Sequence, residues 1–139
     1  MTVKRNTTLI RFYVKTASYI SGEGSSEKYE LFEFPINSAG QLNSLVWVNW
    51  QSLFGSELRE MELKGIRQPA KIQCPYIPTL YEALLRKEVL VYKWTEQPIV
   101  IDGVPDLSQP GWYKVTSGVE NIHEENRTLE FSVQRYEKN

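Results

Sequence analysis

Most of this chain is written in twos. Ile10, Phe12 and Val14 alternate with Leu9, Arg11, Tyr13 and Lys15, which predicts a half-buried strand over about 7–19 with the first three facing inward. A second strand is expected from Tyr29 to Ile36, with Tyr29, Leu31 and Glu33 opposite Phe32, Phe34 and Ile36. Pro35 there suits an edge or a strand end. Leu45 to Trp50 sets Val46, Val48 and Trp50 on one face and Leu45, Trp47 and Asn49 on the other, so both faces are expected to be partly covered. Ala70 to Tyr76, Val89 to Trp94, Trp112 to Thr116 and Thr128 to Tyr136 complete the set. In the last of these, Leu129, Phe131 and Val133 alternate with Glu130, Ser132 and Gln134.

The strong helical signal interrupts this pattern between Leu45 and Pro78. Ser56 can cap a helix, Glu57 suits its first turn, and Phe54, Leu58 and Met61 form one apolar stripe. Lys64 falls in the last turn and Gly65 at the stop. Thr79 to Leu85 has room for a helical turn. About seven short strands with one short α-helix at about 56–64 predict a mainly β fold: a small, closed or nearly closed antiparallel β-barrel, one domain over 1–139.

Two stretches lack the strand period. Ser21, Gly22, Glu23, Gly24, Ser25, Ser26, Glu27 and Lys28 contain no apolar residue and read as a mobile loop. Residues 95–111 hold Pro98, Pro105, Pro110, Gly103 and Gly111 around a short Ile99-Val100-Ile101. That is a long excursion with room for a small hairpin, and excursions of this length are often functional.

Charge and composition narrow the chemistry. The net charge is −1 with no basic half: residues 1–70 carry eight Lys/Arg against seven acids, and residues 71–139 eight against ten. One cysteine, Cys74, allows no internal disulfide. The first residues lack the apolar core of a signal peptide, and the longest wholly apolar run is four residues (Leu45 to Val48). The expectation is an intracellular protein without a membrane span.

Candidate catalytic groups are sparse. His123-Glu124-Glu125 tempts a metal or acid–base reading, but zinc sites want several His or Cys ligands and the chain has one of each. A solvated turn suits it better. Cys74 could pair with His123 as a thiolate, yet it sits mid-strand, away from any helix terminus. Gly22-Glu23-Gly24 lacks the lysine and the following helix of a phosphate loop. Trp47, Trp50, Tyr76, Tyr92 and Trp94 are candidates for stacking on single-stranded nucleic acid, but the basic groove that normally accompanies such platforms is missing. No catalytic residue, cofactor or metal is expected.

The order of features resembles the head–tail joining proteins of tailed bacteriophages, also called head-closure or stopper proteins. The resemblance rests on a Trp strand leading to Gly55-Ser56-Glu57, then the strand Ala70-Lys71-Ile72-Gln73-Cys74-Pro75-Tyr76-Ile77-Pro78. It also rests on an ending that runs from Trp112-Tyr113-Lys114-Val115-Thr116 through Val119 to Asn126-Arg127-Thr128-Leu129-Glu130-Phe131. It spans about residues 7–136. Cys74-Pro75-Tyr76 replaces the family's Arg-Tyr neighbourhood, and the 95–111 excursion is longer than the family pattern.

The resemblance implies a non-enzymatic barrel that assembles into a ring beneath the phage portal and adaptor, closes the head after DNA packaging and offers the tail its attachment surface. The partners it implies are portal, adaptor and tail-completion proteins and further copies of the chain. DNA would pass the channel without sequence-specific binding. The location implied is the host cytoplasm during assembly and then the virion head–tail interface. Candidate interface residues are then the loop Ser21 to Lys28 and, in the excursion, Asp102, Gly103 and Asp106. The competing readings are a small β-barrel binding module, for single-stranded nucleic acid or another protein, and an enzyme with Cys74 as nucleophile.

Overall fold

The computed structural model describes residues 8–21, 24–33, 44–52, 59–60, 63, 69–116 and 118–136, the side chains of 17–21, 24–27 and 123 excepted. In chain order it has β1 (Thr8–Ser21), β2 (Gly24–Leu31), β3 (Leu45–Ser52), β4 (Ala70–Pro75), helix α1 (Pro78–Arg86) and β5 (Val89–Lys93). Two-residue strands β6 (Val100–Ile101) and β7 (Val104–Pro105) precede β8 (Trp112–Val115) and β9 (Glu120–Asn121). A 3-10 turn (Ile122–Glu124) and β10 (Thr128–Arg135) follow. The order β1–β3–β4–β10–β8–β5 returns to β1, so six antiparallel strands close a barrel. Closure pairs both edges of every wall strand, which is how a small sheet avoids exposed edges.

The period of two builds the interior. Ile10, Phe12 and Val14 from β1, Val46 and Val48 from β3, Ile72 and Cys74 from β4, and Leu129, Phe131 and Val133 from β10 form one buried cluster. Glu130, between the inward residues of β10, points out, where it accepts from Gln73 Nε2 at 2.7 Å and pairs with Lys71 at 3.5 Å. Helix α1 lies across one barrel end. Pro78 occupies its first turn, where its missing N–H costs nothing, and Leu80, Ala83 and Leu84 are the face turned into the core. Trp50 and Tyr113 pack edge to face, 4.7 Å apart, toward the other end, with the Lys93 ammonium 4.7 Å above the indole.

The described helix therefore stands at Pro78–Arg86, where the sequence allowed only a turn. Of the helix expected at about 56–64, only Arg59, Glu60 and Leu63 are described, each with helical backbone, and the remainder lies outside the described residues. The second half of the strand expected at Tyr29–Ile36 also lies outside them: β2 ends at Leu31, and Phe32 and Glu33 follow without strand geometry.

The stretch Ser21 to Lys28 is corrected. It is the far part of a hairpin, with Ser21 ending β1 and Gly24 opening β2 opposite it. Gly22 and Glu23, between them, lie outside the described residues. A ladder is held by backbone groups and needs no apolar face, so a hydrophobic pattern cannot detect it. The register slips between Lys15 and Ala17, a bulge at Thr16 whose hydroxyl donates to Lys28 O at 3.3 Å. Bulges bend and twist a strand. This one falls where β1 leaves the wall, just past its last pairing with β5 at Val14.

A second core lies outside the wall. Tyr13, Leu90, Tyr92 and Trp112 point away from the barrel interior and pack with Tyr29, and the excursion after β5 contributes Val100 and Leu107. Trp112 stacks at a tilt on both Tyr92 (4.9 Å) and Tyr13 (5.1 Å). The excursion is held by its own polar groups. Gln109, buried, donates from Nε2 to Gln97 O at 2.8 Å and accepts at Oε1 from Ile99 N at 2.9 Å, standing in for strand partners.

Candidate functional site

Cys74 is 2% exposed, facing the barrel interior opposite Leu129. Burial pushes its thiol from an ordinary value near 9 up to about 12. The thiolate is the nucleophilic form, and this setting withholds it. Glu124 and Glu125 are exposed in the turn before β10, and the side chain of His123 lies outside the described residues. Asn121 and Asn126 clamp that turn: Asn121 Nδ2 donates to Asn126 Oδ1 at 2.6 Å, and Asn126 N donates back to Asn121 Oδ1 at 3.1 Å. Glu124 (φ 54°) and Asn126 (φ 57°) supply the left-handed backbone of the reversal. Among the described residues no group of three or more His, Cys, Asp and Glu is placed to hold a metal ion.

The buried thiol has a consequence for stability. Between about pH 9 and about 12 the unfolded chain has lost the Cys74 proton while the folded chain keeps it, so stability falls as pH rises. Urea denaturation at about pH 8 and about pH 10 should show the parent losing about 1.4 kcal/mol more than Cys74→Ala over that interval. Equal losses would contradict this account of the thiol.

The candidate interface residues fall into two settings. Ser21 and Gly24 to Lys28 belong to the β1–β2 ribbon, and β2 is the terminal strand of its sheet. Asp102 and Gly103 are the two-residue turn of the β6–β7 hairpin. Both have positive φ, 52° and 81°, as a type I′ turn requires. That turn is docked, because Gly103 O accepts from Tyr29 N of β2 at 2.8 Å. Asp106 is engaged locally: Oδ1 accepts from Ser108 N at 3.1 Å and Ser108 Oγ at 2.5 Å. The structure thus brings Asp102 and Gly103 beside the root of the ribbon, a juxtaposition that sequence order does not suggest.

The five aromatics singled out for stacking separate clearly. Tyr92 is fully buried, Tyr76 packs on Tyr81 of α1 at 5.8 Å, and Trp50 is taken up by Tyr113 and Lys93. Trp47 is 55% exposed, and Trp94 is half-buried beneath the Arg11 guanidinium at 5.0 Å. A groove of about 570 Å³ lies between the root of the ribbon and α1. Val14, Phe32 and Ala83 line it together with Glu30, Glu33, Glu82 and Arg86. It draws on three separate elements, so no local motif could announce it. The outer face of the β6–β7 hairpin leaves Ile99, Ile101 and Val104 exposed.

Among the described residues no helix is long and apolar enough to cross a membrane. Compared with protein families, curated proteins and solved structures, the chain matches none of them.

Proposed function

We propose that this chain is a non-enzymatic assembly protein of the head–tail joining type, a barrel that forms a ring beneath a phage portal and adaptor and presents a surface to the tail. The observation that carries the reading is the β1–β2 ribbon. A closed barrel supplies a rigid body, and beyond the Thr16 bulge β1 continues as a two-stranded arm paired with β2. A terminal strand is a ready template for pairing with another chain. The withheld Cys74 thiol weighs against the nucleophile reading.

The partners proposed are portal, adaptor and tail-completion proteins and neighbouring copies, with DNA passing through the channel and the complex residing in the virion. The test separates arm from body. Replacing residues 17–27 by a short turn joins positions that already face each other, so the thermal midpoint should move by only a few degrees, the size of a change of about 1 kcal/mol. The shortened protein should no longer add to the portal–adaptor complex in sedimentation. Retained assembly without the arm would remove the reading.

A further inference from the structure

The β6–β7 hairpin is apolar on both of its faces. Val100 packs into the outer core, which accounts for one face. On the other, Ile99, Ile101 and Val104 are exposed, and Ile101 and Val104 lie directly opposite each other beside the Asp102-Gly103 turn. An unbroken apolar run such as Ile99-Val100-Ile101 is the pattern of a strand covered on both sides. The ridge is held in place, because Gly103 O accepts from Tyr29 N at 2.8 Å. The groove beside α1 is its concave counterpart. Val14 and Ala83, both buried, line it with Phe32, and its volume of about 570 Å³ lies in the range of about 300–1,000 Å³ that receives a bound group. Ridge and groove belong to opposite faces of β2: Tyr29 packs in the outer core with Val100, whereas the next residue, Glu30, lines the groove.

We propose that the hairpin ridge of one copy seats in the groove of the next, so that the chain is its own partner through two unlike patches. The inference rests on the assembly reading and names the contact between neighbouring copies that a ring requires. Contact between unlike patches runs head to tail and passes from copy to copy until the rotation closes, whereas a patch that meets itself stops at a dimer. The charges at the margins agree with this seating. Asp102, exposed at the hairpin tip, and Lys87, in the groove wall, have no ion pair among the described residues, whereas the neighbouring Arg86 is paired with Glu82 at 3.1 Å. Seating the tip at the C-terminal end of α1 brings Asp102 to Lys87. A contact anchored on three aliphatic side chains falls short of the roughly 1,200–2,000 Å² of a standard interface. Free copies therefore associate weakly, and a template that holds them side by side supplies the rest.

The experiment traps the contact between two copies of the full chain. One copy carries Ile101→Cys and the other, marked by a tag, Thr79→Cys in the groove wall. Both positions are exposed, and Cys74 is buried away from the reagent. With a short bis-maleimide at high protein concentration, the mixed product should dominate over both same-site products. Adding Ile99→Asp to the first copy should abolish the mixed product and leave the circular dichroism spectrum unchanged, because Ile99 faces solvent in the single copy. The proposal is overturned by same-site Ile101→Cys products that outrun the mixed one, by a mixed product that Ile99→Asp leaves intact, or by no product at all. Sedimentation with the portal–adaptor complex separates it from the assembly reading. Parent and Ile99→Asp chains that add equally well would overturn the contact and leave that reading standing. Mixed trapping by a parent that never adds would support the contact and remove the reading.

Discussion

Trp112→Ala is expected to cost about 3–5 kcal/mol, a large share of the 5–15 kcal/mol that usually holds a domain of this size. Trp112 is fully buried, yet it lies outside the barrel wall, stacked on Tyr13 and Tyr92. Truncation leaves a cavity under the excursion that backbone pairing keeps from collapsing: Trp112 pairs with Tyr92, and Tyr136 N donates to Trp112 O at 2.9 Å. The indole Nε1 has no hydrogen-bond acceptor. Trp112→Phe removes that stranded donor along with part of the ring, so it should recover most of the loss. Urea midpoints for the two variants measure this. An alanine variant as stable as the parent would mean the outer cluster contributes nothing to the fold.

Gly111→Ala should be nearly as damaging, for a different reason. Its φ of +110° is a conformation that side chains rarely adopt, and a Cβ there would sit 2.9 Å from Lys93 O and 3.0 Å from the Tyr92 ring. The carbonyl cannot easily retreat, because Lys93 N donates to Gly111 O at 2.8 Å across the same gap. Backbone strain of about 1–3 kcal/mol and overpacking of about 1–3 kcal/mol act together. Gly103→Ala provides the control. Its φ is also positive, but the nearest atoms to a Cβ are at 3.5 Å, ordinary contact. Thermal melts should rank Gly111→Ala well below Gly103→Ala. The reverse order would contradict the packing described around β5 and β8.

Much of the barrel was legible as alternation. The inward sets Ile10/Phe12/Val14 and Leu129/Phe131/Val133 are those the period of two indicates, because each strand has one face on the barrel core. β5 was harder. Val89 and Val91 face the interior while Leu90 and Tyr92 are buried outside, and a strand covered on both faces does not reveal what covers it. The outer core depends on the excursion folding back, and its clamp, Gln109, is one polar residue in a Pro- and Gly-rich stretch. Nothing local distinguishes it from solvent-facing glutamine.

The ribbon was illegible for the opposite reason. Hydrophobic periodicity reports burial, and Ser21 and Gly24 to Lys28 pair by backbone while none of them is an apolar residue that could mark the register. Helix α1 reads from sequence only as a turn because Pro75, before it, and Pro78, at its start, look like breakers, although Pro78 in the first turn starts a helix as well as it ends a strand. The aromatic candidates divided only once the register was known. Trp47 and Trp94 fall in one outer row through Leu9, while Tyr92, two residues before Trp94, is sealed in the outer core.

The most direct test of the proposed assembly role is electron microscopy of the purified chain mixed with a phage portal–adaptor complex. The account predicts an additional ring of density beneath the adaptor with this chain, and no such ring when residues 17–27 are replaced by a short turn. A chain that never adds to the complex at any concentration, while remaining folded, would contradict it.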